Sequence, residues 1–412
     1  MVTSLPGPDV AARQDRMLDP ITHRRALSAL FLSGMLFALP GALLPAWRHH
    51  LGSDYHTAGL YFLAVTIGMA GAFPIASRLF PRRGIRVVLS LGSGVACASL
   101  LYLAAVPVSA SPFWRLFGLA GVGLSIGLLN TAVFHALSDA YRHEPAATVN
   151  LGGAVFGLGS LVTAVTVAGT FYVYTVPSIL ILLATLPGFH SGLFLKWPFP
   201  TYPQRPSPSF SEALHDFRSL GAVLFALLLF LQFGNEWAVA GWLPVFLTQR
   251  LGISPETSLW LLALYWLSLI VGRVWAQSIL QKISHARLLF GSMLAAIFGC
   301  LILSVTNNLF GAVTGILLLG GGFASIYPLV VEKIGHRFPY YHPGFFNGIF
   351  SFALVGGLVA PWLLGHLAEF FGVGVVMVLP AAGSVLVLVL LLLIWLEARM
   401  SDHTPPPGAS AV

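Results

Sequence analysis

Charge is what this sequence has least of. Only 8% of its 412 residues are Asp, Glu, Lys or Arg, where a soluble domain carries about 25%. Without that polar coat the chain cannot be a soluble globular enzyme, a disordered polypeptide or a nucleic-acid binder. Cysteine is nearly absent as well. Cys97 and Cys300 both lie inside apolar runs, which excludes a disulfide framework and argues against a metal site. No phosphate-binding glycine loop, metal-ligand spacing or nucleophile–base constellation is present. Catalysis and ATP-driven work are therefore not expected, and no cofactor or metal is expected. What the chain does have is 57% hydrophobic residues, 43 glycines and 27 prolines, with a mean hydropathy of +0.85. Glycine and proline are both tolerated inside membrane spans, so the composition describes a polytopic, all-α membrane protein embedded in a lipid bilayer.

A helix needs about 20 apolar residues to cross about 30 Å of hydrocarbon. That ruler gives twelve spans, near 26–47, 57–78, 86–107, 113–141, 149–170 and 172–195, then 219–248, 257–281, 286–306, 308–332, 342–370 and 372–397. Polar punctuation separates them at Ser53-Asp54, at Pro81-Arg82-Arg83-Gly84 and at Asn307-Asn308. The organisation expected is an N-terminal tail (1–25), a six-helix bundle (26–195), a proline-rich linker (196–218), a second bundle (219–397) and a tail (398–412). The first 25 residues are polar and lack the short apolar core of a signal peptide, so the first span is expected to be retained. Basic residues crowd one side of the bilayer. Of 21 Lys and Arg, only Arg48, Arg115 and Arg250 fall in the opposite loops and Arg273 falls inside a span, leaving 17 on the side of the termini. The positive-inside rule then makes both termini cytoplasmic.

The two halves repeat at an offset of about 200 residues. Gly41 to Pro45 finds Gly241 to Pro244, Leu51-Gly52 finds Leu251-Gly252, and Gly71 finds Gly272. Gly121 to Gly123 finds Gly320 to Gly322, and Asn150 finds Asn347. Parallel repeats of this kind place a pseudo-two-fold axis along the membrane normal and a solute site near the midplane. This pattern, with the loop Ser77-Arg78-Leu79-Phe80-Pro81-Arg82-Arg83-Gly84 after the second span, resembles the major facilitator superfamily. Pro81 replaces the usual acid of that loop. More narrowly, Ala324-Ser325-Ile326-Tyr327-Pro328, Asn150-Leu151 with Phe156-Gly157-Leu158-Gly159, Val271-Gly272-Arg273, Gln232-Phe233 and Thr57-Ala58-Gly59-Leu60 are similar to the fucose permease (fucose–proton symporter) family. The resemblance implies the major facilitator fold of two pseudo-symmetric six-helix bundles. It does not carry the family's chemistry, because the positions of its acids on the first and fourth helices are Gly41 and Ile126 here, and those of its fifth-helix amides are Phe156 and Gly153.

An ionisable side chain at the bilayer centre costs at least about 2.5–3.5 kcal/mol, so each one is a candidate for function. Glu236 is the acid that falls at mid-span, in Gln232-Phe233-Gly234-Asn235-Glu236-Trp237. Helical spacing sets Gln232, Asn235 and Glu236 on one face. Glu236 reads either as a proton-coupling and solute-orienting residue or as a protonated packing residue. Arg273 reads as an anion contact or as a structural ion pair with an acid at a helix end such as Glu332, and Asp139 reads as a gate or scaffold partner. Asn130 and Tyr327 occupy positions similar to the family's motifs, Trp237 lies beside the polar face, and Tyr265 and Trp266 read either as a flat face for a sugar ring or as aromatic packing against lipid. The substrate-binding set expected is thus Gln232, Asn235, Glu236, Trp237, Asn130, Tyr327, Tyr265 and Trp266. Two functions stand side by side at this stage. One is a secondary transporter of a small polar, sugar-like solute by alternating access, with protons as a second partner. The other is an exporter of amphiphiles, drugs or lipids by proton antiport. A monomer in a bacterial inner membrane is the expected setting.

Overall fold

In hydrocarbon, every backbone N–H and C=O must be satisfied within the protein, and a long apolar run does so by forming an α-helix. The structure, a computed structural model, describes residues 20–51, 54–107, 109–137, 145–199, 219–280, 282–338 and 343–401. Helix α1 comes in two pieces, Pro20–Phe37 and Leu39–Leu51. It breaks just before Pro40, whose ring lacks an N–H and crowds the preceding turn. The helical stretch Tyr55–Ala105 has 51 residues, about 77 Å if straight, too long for one crossing. At Gly84 the backbone turns to φ 73°, ψ 176°, a conformation that favours glycine, and this divides the stretch into α2 (55–83) and α3 (85–105). Then follow α4 Pro112–Ala136, α5 Pro145–Thr170, α6 Val176–Lys196, α7 Leu220–Leu251, α8 Pro255–Leu280, α9 His285–Val305, α10 Leu309–Arg337, α11 Pro343–Phe371 and α12 Val375–Ser401. Among the described residues, eleven stretches are long and apolar enough to cross a membrane, and the break at Gly84 divides the longest of them into two helices.

The polar residues that punctuate the sequence are the ones that end the helices. Asp54 caps α2 by accepting from the Thr57 backbone N–H at 2.8 Å. Its carboxyl is held below its ordinary value, chiefly by hydrogen bonding from Thr57. Ser219 caps α7 through the Ala222 N–H at 3.0 Å, and Asn308 caps α10 through the Gly311 N–H at 2.8 Å. Gly252 closes α7 in the left-handed conformation at φ 65°, the usual helix-terminating geometry.

The described residues group into two compact units. The first takes its residues from Met1–Phe37, Ala64–Thr163 and Tyr174–Gln204, and the second from Ala38–Leu63, Ala164–Val173 and Arg205–Val412. Each is held by backbone-to-backbone contacts at small residues, as expected where lipid removes the hydrophobic drive between helices. In the first unit, a Cβ on Gly159 of α5 would overlap the Phe31 carbonyl of α1, and one on Gly123 of α4 would overlap the Val65 carbonyl of α2. Hydroxyls lock the same seams. Ser160 donates to the Gly34 carbonyl at 2.9 Å and Thr163 to that of Met35 at 2.8 Å.

The second unit repeats these contacts about 200 residues further on. Gly356 of α11 meets the Phe230 carbonyl of α7, and Gly320 of α10 meets the Tyr265 carbonyl of α8. One matched pair does not repeat: Gly272 packs on Gly321 while Gly71 has nothing near it. A Gly159→Val or Gly356→Val substitution should therefore force its helix pair apart. It should cost about 1–3 kcal/mol or more, as overpacking does, read as a lowered unfolding temperature in detergent. Gly71→Val should leave that temperature unchanged.

Candidate functional site

The sequence leaves two opposite charges deep inside spans, and the structure brings them together. Arg273 of α8 donates from Nη2 to Oε1 of Glu236 on α7 at 3.4 Å. Both residues are only 7% exposed. The pairing follows from the bilayer: each charge alone is costly at this depth, and an opposite charge with hydrogen bonding is what makes it tolerable. The acid paired with Arg273 is thus Glu236, where Glu332 was the example named from sequence. Glu332 sits instead at the end of α10, where His285 Nε2 lies 3.0 Å and His336 Nε2 3.7 Å from its Oε1. Asp139 lies outside the described residues.

Aromatic residues enclose the pair. The Tyr265 hydroxyl donates to the Glu236 backbone carbonyl at 3.3 Å. Tyr265 and Trp266 are buried, with ring centroids 5.6 Å apart. They form the wall behind the ion pair rather than a free stacking face. The partly exposed aromatic surface is made by Phe233 and Tyr327, 4.9 Å apart and edge-on. Trp237, itself buried, packs 5.9 Å from Phe233 with its indole seated on Gly357 of α11.

Gln232 and Asn235 lie beside the charges, at 1% and 4% exposure. Asn235 leans on α12, where a Cβ at Gly383 would overlap its side-chain oxygen. Helical spacing did set 232, 235 and 236 together, but the face fans out, with Glu236 toward α8 and Asn235 toward α12. Both ends of the Gln232 amide and the Asn235 amide nitrogen find no hydrogen-bond partner among the described residues. Leaving such a buried group unmet costs about 1–3 kcal/mol, so these amides are the polar surface with capacity to spare. Asn130 belongs to the first unit, where Ser33 of α1 donates to its Oδ1 at 2.7 Å.

Sequence reasoning found Glu236 and Arg273 separately and missed their union. The signal was available in principle: they are opposite charges at similar depth on consecutive spans. The roles of Gly357 and Gly383, which make room for Trp237 and Asn235, carried no signal among 43 glycines. Among the described residues, no group of three or more His, Cys, Asp or Glu could hold a metal ion.

Comparison with known proteins places this architecture. The profile of the Major Facilitator Superfamily matches residues 26–355 and 225–411, and the chain belongs to that superfamily. It is a secondary transporter by family and not an enzyme. It is 23% identical over 354 residues to an uncharacterized MFS-type transporter of Yersinia pestis, covering 83% of this chain and 87% of that one. It is 25% identical over 378 residues to a glucose/galactose transporter of Brucella abortus, covering 85% and 88%. Among solved structures, the nucleoside transporter NupG superposes with a TM-score of 0.68 at 12% identity, covering 93% of this chain and 100% of that one. A bacterial homologue of the human lysosomal transporter Spinster gives 0.64 at 13% identity, covering 94% and 98%. The two structural likenesses establish the fold.

Removing the charge of Arg273 by Arg273→Met should strand Glu236 and cost about 3–5 kcal/mol, seen as a large loss of thermal stability in detergent. Glu332→Gln, which touches only the exposed histidines His285 and His336, should cost under about 1 kcal/mol. The opposite ranking would return Arg273 to the partner expected from sequence.

Proposed function

We propose that the protein carries a small, polar, uncharged solute of the sugar type by alternating access, with Glu236 as the residue that couples transport to protons. The observation that carries this reading is the group of unmet amides, Gln232 and Asn235, set beside a mutually neutralised Glu236–Arg273 pair. The pair contributes no net charge, so it does not select an ion. Amides with free donors and acceptors match hydroxyl groups, which both donate and accept. Phe233 and Tyr327 supply an apolar surface against which a ring can lie. Protonation of Glu236 would release Arg273, and a buried pair that can be made or broken is a suitable element for linking proton movement to a change of state. The glucose/galactose transporter among the relatives is consistent with this class of solute.

In this proposal the two halves are residues 26–195 and 219–397. Both termini lie in the cytoplasm of a bacterial cell, as the distribution of basic residues argues, and the protein works as a monomer.

Counterflow in proteoliposomes with a panel of neutral hexoses, lipophilic cations and lipids tests the reading. At least one hexose should exchange. Glu236→Gln should keep exchange but lose acceleration by an imposed pH gradient. Gln232→Leu, which replaces the unmet amide by an apolar group, should keep the fold and weaken apparent affinity about tenfold or more. A panel in which only amphiphiles exchange would replace this reading with that of an exporter, and transport unchanged in both variants would remove the site from α7.

A further inference from the structure

The second compact unit contains a seam that the proposed transport site does not use. It joins the second piece of α1 and the first turns of α2, residues 38–63, to α7 and α11. Gly41 of α1 lies against the Ala240 carbonyl and Gly241 of α7, and Gly59 of α2 lies backbone to backbone on Gly365 of α11. Tyr55 and Phe62 of α2 flank Trp242, at 6.2 and 5.7 Å between ring centroids, and the Trp242 indole donates to the Pro361 carbonyl at 2.8 Å. At the rim, the Tyr55 hydroxyl donates to Gln249 Oε1 at 2.8 Å. Beside it, the imidazoles of His56 on α2 and His366 on α11 meet edge to face, 4.8 Å apart, with His56 one turn before Gly59 and His366 next to Gly365. Trp362 closes the other side of His366 at 5.1 Å.

We propose that His56 and His366 form a proton-operated latch on this seam, holding it shut when the rings are neutral and loosening it when both carry a proton. The inference rests on the alternating-access reading above, because a seam needs a latch only if it opens. Neutral imidazoles pack favourably edge to face. Two imidazolium ions at the same separation repel, and the glycine contact beneath offers no side chain to hold the helices together. Imidazole is the side chain whose charge responds to mild acidification, so the seam is tight with neutral rings and weakened when acid charges them.

The other charged groups at this rim do not cancel the effect. Asp54 at the start of α2 is engaged by the Thr57 backbone N–H. Glu369 is exposed, one turn beyond His366 on α11. Arg250 at the end of α7 is turned to the carbonyls of Thr306 and Val305, and Glu256 of α8 accepts from the Trp260 indole. Arg48, His49 and His50 precede the seam in sequence and stay unchanged in every variant below. In the proposed orientation this rim faces the outside, so external acid is the signal.

The test is a spin-label pair at Thr57→Cys and Phe370→Cys in full-length protein with Cys97→Ala and Cys300→Ala, reconstituted in liposomes. Dipolar broadening should be present at pH 7.5 and largely lost at pH 5.5, a shift of about tenfold in the ratio of closed to open seam. With His56→Gln or His366→Gln added, the spectra at the two pH values should coincide. Equal spectra at both pH values with the histidines intact would overturn the latch. A pH effect that survives both glutamine variants would do the same, as would a pair that shows no broadening at either pH. Counterflow by the same unlabelled protein distinguishes failure of the latch from failure of the transport reading, since exchange can persist when the latch fails.

Discussion

A bilayer offers no water to a buried charge, and the pair Glu236–Arg273 is the protein's answer to that constraint. Around it the second unit arranges what else it has. Tyr265 ties α8 to the backbone of α7 at the charged residue itself. Phe233 and Tyr327 bring α10 in from one side, and Gly357 and Gly383 admit Trp237 and Asn235 from α11 and α12. An acid without its base here would leave several kcal/mol unanswered, and the helices that converge on it would lose their reason to do so. The amides of Gln232 and Asn235, buried and unmet beside it, are where that stable framework leaves room for a solute.

The rest of the fold follows from the same shortage of partners. Helices in lipid gain little from burying one apolar surface against another, so they approach through glycine and lock through serine and threonine. Phe31 with Gly159, and Phe230 with Gly356, solve the same packing problem twice in one chain. This duplication gives physical content to a sequence repeat that would otherwise be only a pattern of abundant residues. The seam at Gly41 and Gly59 uses the same device, but its side chains at the rim are polar and titratable. That distinguishes a contact built to stay closed from one able to open.

Much of this was legible in the sequence, for reasons that are physical. Span lengths are set by bilayer thickness, and helix ends by Asp54, Gly84, Ser219, Gly252 and Asn308, whose chemistry dictates a cap or a turn. The helices run past the spans expected at 26–47, 57–78 and 308–332, covering 20–51, 55–83 and 309–337, while the end expected at 141 lies outside the described residues. Apolar periodicity fades gradually at the interface and marks no stop. Glu236 was visible because carboxylates are so few. Its partner was not, since sequence gives depth along a helix but not rotation about it, and Arg273 could face either Glu236 or Glu332. Rotation also explains why Asn235 and Glu236, neighbours on one expected face, lean toward different helices, and why Tyr265 and Trp266 became a buried wall.

The central claim, that Glu236 and Arg273 act as one charge-neutral unit, is tested most directly by exchanging them. Thermal unfolding of Glu236→Arg, of Arg273→Glu and of the double exchange should show two severely destabilised single variants. The double exchange should regain most of the lost stability, because the pair is restored with its sign reversed. A double exchange no more stable than the sum of the two single losses would contradict the account.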